Sequence, residues 1–170
     1  MNRVKYAKFF LFGVIVAHVA CAEVRSDFKE MLFVSITGVT DVKKVPTEGK
    51  RIGPWVANPK PGADEIYEFN FQSEASGREA GPVVGRVLIF RGDSEAEQGF
   101  SSLLQYLMLQ PPPLSDLSVG DKAYAKGGQI WYNRGRFVVL LADRTSYSEL
   151  RAPTLALAQE LDKLLKTVDD

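Results

Sequence analysis

Histidine and cysteine supply most of the nucleophiles, proton shuttles and metal ligands that enzymes use. This chain has one of each, His18 and Cys21. Both lie in an N-terminal segment that reads as an export leader, so the mature chain is expected to contain neither. A Ser-His-Asp or Cys-His nucleophile system then has no base. Zinc sites draw on His and Cys, and haem and iron–sulfur groups lose their usual ligands. No thiol remains for redox work. The phosphate-cradling patterns G-x-x-x-x-G-K-[ST] and G-x-G-x-x-G do not occur, nor does the calcium loop D-x-[DN]-x-[DN]-G. No cofactor and no metal is therefore expected.

Two catalytic routes need neither residue. A carboxylate pair of the kind that cleaves glycosides could be drawn from Glu65, Glu68, Glu74 and Glu79 around a first hairpin, or Asp121 and Asp143 around a second. Carboxylates at strand ends are, however, usually solvated surface charge, and nothing in the sequence pushes two of their pKa values apart. A Ser-Lys arrangement would draw on Ser101-Ser102 in a helix or Ser146 and Ser148 in a loop. Binding features are more concentrated. Trp131 and Tyr132 precede Arg134 and Arg136 at a hairpin tip, and Trp55 sits in a long loop. Tryptophan, tyrosine and arginine are favoured where partners are gripped, although a strand tryptophan also packs in cores.

The leader carries Arg3, Lys5 and Lys8 with no acid among them, then an apolar run from Phe9 to Val19, then Ala20-Cys21-Ala22. This is the layout of a signal peptide cut after a small residue, with cleavage expected after Ala22. The run is shorter than the ~20 residues that span a bilayer. Val19-Ala20-Cys21 is similar to the end of a bacterial lipobox, with His18 where lipoproteins usually carry Leu. Lipidation of Cys21 would place the protein on a membrane, and its absence would leave it free. The expected organisation is a signal peptide over 1–22 and one domain over 23–170.

Removing the leader takes three basic residues and no acid, which leaves 18 basic against 21 acidic residues, a net charge of −3. Nucleic-acid binding rests on neutralising phosphates, so it is not expected. A cysteine-free mature chain has no disulfides, and no N-x-[ST] sequon occurs. Both fit a bacterial envelope better than a eukaryotic secretory route.

The elements that must position these residues follow from periodicity. Glu23 to Glu30 is polar and reads as an arm or frayed helix. Met31 to Val39 (MLFVSITGV) is β-branched and apolar, which predicts a strand. Thr40 to Asp64 is rich in Pro, Gly and Lys and reads as a long irregular connection. Glu65 to Gln72 alternates, with Tyr67, Phe69 and Phe71 on one face and Glu68 and Asn70 on the other. Val83 to Arg91 reads as its hairpin partner. Ser94-Glu95-Ala96-Glu97 is a capping-box pattern, followed by Phe100, Leu103, Leu104 and Leu107 at helical spacing. Gln110-Pro111-Pro112-Pro113 stops that helix. Gly120 to Lys126, Gln129 to Tyr132 and Arg136 to Ala142 read as strands, and Leu157, Leu161, Leu164, Leu165 and Val168 mark a closing helix, which tolerates Pro153 if that residue lies in its first turn. Phe137 to Ala142 is apolar on both faces, so both must be covered.

Val119-Gly120-Asp121-Lys122-Ala123-Tyr124, Ile130-Trp131-Tyr132-Asn133-Arg134-Gly135, Phe137 to Leu141 and Leu157-Ala158-x-x-Leu161-Asp162-x-x-Leu165 cover about a third of the chain. Together they resemble the C-terminal half of small exported bacterial domains of unknown function, some of which are similar to the Mog1/PsbP-like α/β sandwich. The resemblance implies a binding or accessory role and brings no catalytic residue.

The expected fold is α+β, an antiparallel sheet of about five or more strands with two helices packed mainly on one face. The expected function is non-enzymatic. It is an exported, periplasmic or extracellular binding module for an envelope protein or small ligand, held by Trp55, Trp131, Tyr132, Arg134 and Arg136. The competing reading is a carboxylate-dependent hydrolase of envelope sugars. A third is a homodimer formed across an uncovered sheet face.

Overall fold

The computed structural model describes residues 28–47, 62–73, 82–106, 117–145 and 148–169. The leader and Trp55 lie outside them. Within them the alternating segments pair into one six-stranded antiparallel sheet. Its strands are β1 (Val39–Val45), β2 (Glu65–Phe71), β3 (Val83–Ile89), β4 (Lys122–Lys126), β5 (Gln129–Arg134) and β6 (Phe137–Asp143), in the order β1-β2-β3-β6-β5-β4. Three helices among the described residues complete it: α1 (Phe28–Ser35), α2 (Asp93–Tyr106) and α3 (Ala152–Asp169). The α+β class and the antiparallel sheet are as the sequence predicts.

Burial explains the register. Along β6, Phe137, Val139 and Leu141 join a core with α1 and α3. Val138, Leu140 and Ala142 join a second core with Ala96, Phe100 and Leu103 of α2. Successive side chains of a strand point to opposite faces. The sheet is therefore a middle layer, with α1 and α3 on one side and α2 on the other. This corrects the expectation that the two predicted helices share a face. A strand apolar on both sides needs a cover on each, and the chain supplies both.

The N-terminal portion departs from the sequence reading. Residues 31–35 are helical rather than extended, and the first strand begins only at Val39. Phe28, Leu32 and Ile36 are buried at a spacing of four while Phe33 and Val34 are exposed, which is a helical period. Gly38, at φ +92, makes the turn out of the helix; a Cβ there would sit 2.4 Å from the Gln72 carbonyl oxygen. From Thr40 onward β1 lies within the stretch read as irregular. Its register with β2 shifts between Thr40 and Lys43, and Asp41 takes a positive φ of 54°. That bulge puts its two buried valines, Val39 and Val42, three apart and hides the period of two.

Candidate functional site

Three segments converge at the end of the sheet where β5 turns into β6. Gly135 makes that turn at φ +48. The segment entering β4 runs antiparallel beside it, and the Asp121 N–H donates to the Asn133 carbonyl at 2.7 Å. α3 crosses the same end and presents Asp162, whose side chain is only 4% exposed. The Arg134 guanidinium forks onto that carboxylate, with Nε 2.7 Å from Oδ1 and Nη2 3.1 Å from Oδ2. Its Nη1 donates to Asp121 Oδ1 at 2.5 Å. Asp121 Oδ2 accepts the Gly135 N–H at 2.8 Å, and Asp162 Oδ1 accepts the Gly120 N–H at 3.0 Å. Lys166, one turn along α3, adds its ammonium 3.1 Å from Asp162 Oδ2.

These contacts form a clasp that ties turn, hairpin and closing helix together. Gly120 is needed because φ is +67 and a Cβ would lie 2.6 Å from the Asn133 carbonyl oxygen. Burial alone would raise the Asp162 pKa, but hydrogen bonds from Arg134, Lys166 and the Gly120 amide outweigh it and hold the carboxyl below its ordinary value. The same hydrogen bond to Asp162 raises Arg134 further, against a smaller effect of burial.

Outside the clasp lies an open cleft of about 400 Å³ lined by Asp93, Asp121, Arg134, Gly135, Lys166 and Asp169. Arg136 reaches Asp169 with Nε 3.7 Å from Oδ1, and its guanidinium lies 5.2 Å from the Phe137 ring centre. Burial, then the charge of Asp93 and, less strongly, that of Asp121, push the Asp169 carboxyl up despite Arg136. The cleft thus mixes both signs of charge on three elements.

The structure divides the predicted site. Arg134 and Arg136 are together at this end. Trp131 and Tyr132 are not available with them, which corrects the sequence reading. As neighbours on β5 they face opposite sides of the sheet, and they are 3% and 0% exposed. Trp131 packs on Tyr124 beneath α2, ring centres 5.2 Å apart. Tyr132 packs under α3 and donates its hydroxyl to the Ala158 carbonyl at 3.2 Å. Burial, reinforced by the Asp162 charge, raises its pKa well above the ordinary phenol. A strand supplies side chains to both layers, so consecutive aromatics build two cores rather than one surface.

The candidate acids among the described residues each have a partner of their own. Glu65 accepts from Lys44 and from the Tyr67 hydroxyl, both at 2.8 Å. Glu68 pairs with the buried Arg86 at 2.5 Å. Asp143 accepts from the amide and the hydroxyl of Thr145, both at 2.7 Å. Glu74, Glu79 and Ser146 lie outside the described residues. Ser101 and Ser102 are exposed on α2, and Ser148 is exposed in the loop before α3. Ser26 and Lys29 have the S-x-x-K spacing, and Ser26 also lies outside the described residues. Among the described residues, no group of three His, Cys, Asp or Glu side chains is placed to hold a metal ion.

Sequence reasoning missed Asp162, Lys166 and Asp169 of α3, and the Glu68–Arg86 pair. Asp162 left a signal. Its helical phase places it beside Ala158 and Leu165, on the buried face, where a carboxylate demands a cation. Arg86 left the same signal at the middle of an otherwise apolar strand. Burial lowers its pKa, partly offset by Glu68. No protein-family model, curated protein or solved structure matches this chain.

Proposed function

We propose that this protein is a non-enzymatic binding or accessory module, exported to the cell envelope by a leader over 1–22, and that its binding surface is the cleft beside the β5–β6 turn. The observation that carries the reading is the division of labour at that end. Arg134, Asp121 and Asp162 satisfy one another and hold the scaffold, while Lys166, Asp169 and Asp93 present charge of both signs around an open cleft and Arg136 stands beside Asp169. Such a rim suits a polar partner surface with its own mixed charge. The net charge of −3 after leader removal disfavours nucleic acid. Contact with a membrane depends on lipidation of Cys21; no helix among the described residues is long and apolar enough to cross one. The resemblance of the Gly120-Asp121, Arg134-Gly135 and Asp162 segments to small exported domains of unknown function belongs to this reading as well.

The test is a cross-linked pull-down from whole envelope with the mature chain as bait. A specific envelope protein or ligand retained by the wild-type chain and lost in Arg136→Ala/Lys166→Ala is the expected result. Equal retention by both chains sinks the surface assignment. One observation favours the hydrolase instead: Asp169 has a raised pKa in a cleft that it shares with two further carboxylates. Turnover of envelope sugars that Asp169→Asn abolishes would establish that reading in place of ours.

A further inference from the structure

Among the described residues, the two large apolar side chains left exposed are neighbours on α1, Phe33 at 60% and Val34 at 74%. The opposite side of the same helix, Phe28 and Leu32, is buried against the sheet. Phe33 also lines a cleft of about 680 Å³ between α1 and β1, rimmed by Lys29 and Glu30 of the helix and by Asp41 and Lys43 of the strand. We infer that this face is a homodimer interface, in which Phe33 and Val34 of each copy pack into the α1–β1 cleft of the other.

The charges choose the occupant. A two-fold interface brings one patch onto itself, so it must be self-complementary. Among the described residues this rim carries two cations and two anions, one of each sign on each element. A rotation can set the lysines of one copy against the acids of the other, with no net charge left over. An anionic membrane surface would call for an excess of cations, and the described residues of the rim are balanced instead. Strand pairing along the β1 edge is also disfavoured. The register shift at Thr40–Lys43 breaks the ladder, and Lys43 and Lys44 guard it. The contact is therefore made by side chains of α1 rather than by a continued sheet. Both faces of the central strand β6 are covered by the chain's own helices, so the interface is not the sheet-face dimer that the sequence suggested.

Sedimentation velocity of the mature chain, from low to high micromolar, tests this. The wild-type chain is expected to show a concentration-dependent dimer. Phe33→Glu, at an exposed position that leaves the fold intact by circular dichroism, is expected to weaken it by at least about tenfold. A chain with an acidic rim (Lys29→Glu/Lys43→Glu) and one with a basic rim (Glu30→Lys/Asp41→Asn) should each fail to self-associate and should form a mixed dimer when combined. A wild-type chain that stays monomeric overturns the inference. So does a dimer indifferent to Phe33→Glu, or a monomer that co-sediments with phosphatidylglycerol vesicles through Phe33.

Discussion

Arg134 spends three of its guanidinium donors on acids of its own chain. An arginine so engaged has little left for a ligand, and its removal leaves Asp162 buried with the Lys166 ammonium as its remaining cation. Arg134→Ala should therefore destabilise the fold by on the order of 2–4 kcal/mol. A denaturant double-mutant cycle with Asp162→Ala should show coupling of about 1–3 kcal/mol, and additive losses would contradict the clasp. The two flanking acids of α3 respond to pH with opposite signs. The folded-state pKa of Asp162 lies below the unfolded value of 3.8, so its contribution is present above that value and is lost as pH falls through the folded one. The folded-state pKa of Asp169 is raised, so ionisation there opposes folding as pH rises through it. Asp162→Asn should lower the melting temperature at neutral pH and matter less in acid. Asp169→Asn should raise it at neutral pH, with the gain shrinking as pH falls to 3.8 and below. A gain that grows on acidification would refute the assignment.

Among the elements, those with an unbroken period were legible and those with an interrupted one were not. β2 announces itself through Tyr67, Phe69 and Phe71, and all three enter the core under α1 and α3. α2 and α3 show their apolar stripes, and Pro153 sits in the first turn of α3 as expected. α2 begins at Asp93, one residue before the expected cap, and Glu97 is drawn to Lys122. In MLFVSITGV the apolar, β-branched composition points to a strand while the spacing of the buried residues sets a helix, which is why α1 departs from the sequence expectation. Leu32 is fully buried while Val34, which would share its face in a strand, is 74% exposed, a contrast that a helix explains and an extended 31–39 does not. Leu32→Ala should accordingly cost about 2–5 kcal/mol in chemical denaturation of the monomer, and Val34→Ala less than about 0.5 kcal/mol. Comparable losses at the two positions would argue against the helix. β1 was hidden because its bulge destroys alternation. The face that each helix covers was also illegible, because β6 is apolar on both sides and the pattern does not say which crossover goes where.

At the scale of the whole molecule, the two halves repeat a three-strand meander followed by a helix, joined through the β3–β6 pair. The repetition stops at strand order. A rotation that superposes β3 on its antiparallel neighbour β6 has its axis normal to the sheet and keeps each face on its own side. A duplicated unit would then set α2 and α3 on one face, and they lie on opposite faces. The end of the molecule bearing Arg134 was legible as a concentration of aromatics and arginines. Its composition was not, because contacts among Gly120, Asp121, Arg134 and Asp162 bridge 13 to 42 residues of sequence. The functional account rests on the rim of that end meeting a partner. A photo-reactive side chain at Lys166, on the cleft, compared with one at exposed Lys126 on the opposite β4–β5 turn, tests this in whole envelope. The account predicts a specific adduct from position 166 that position 126 does not give. Adducts from position 126 alone, or the same adducts from both, would contradict it.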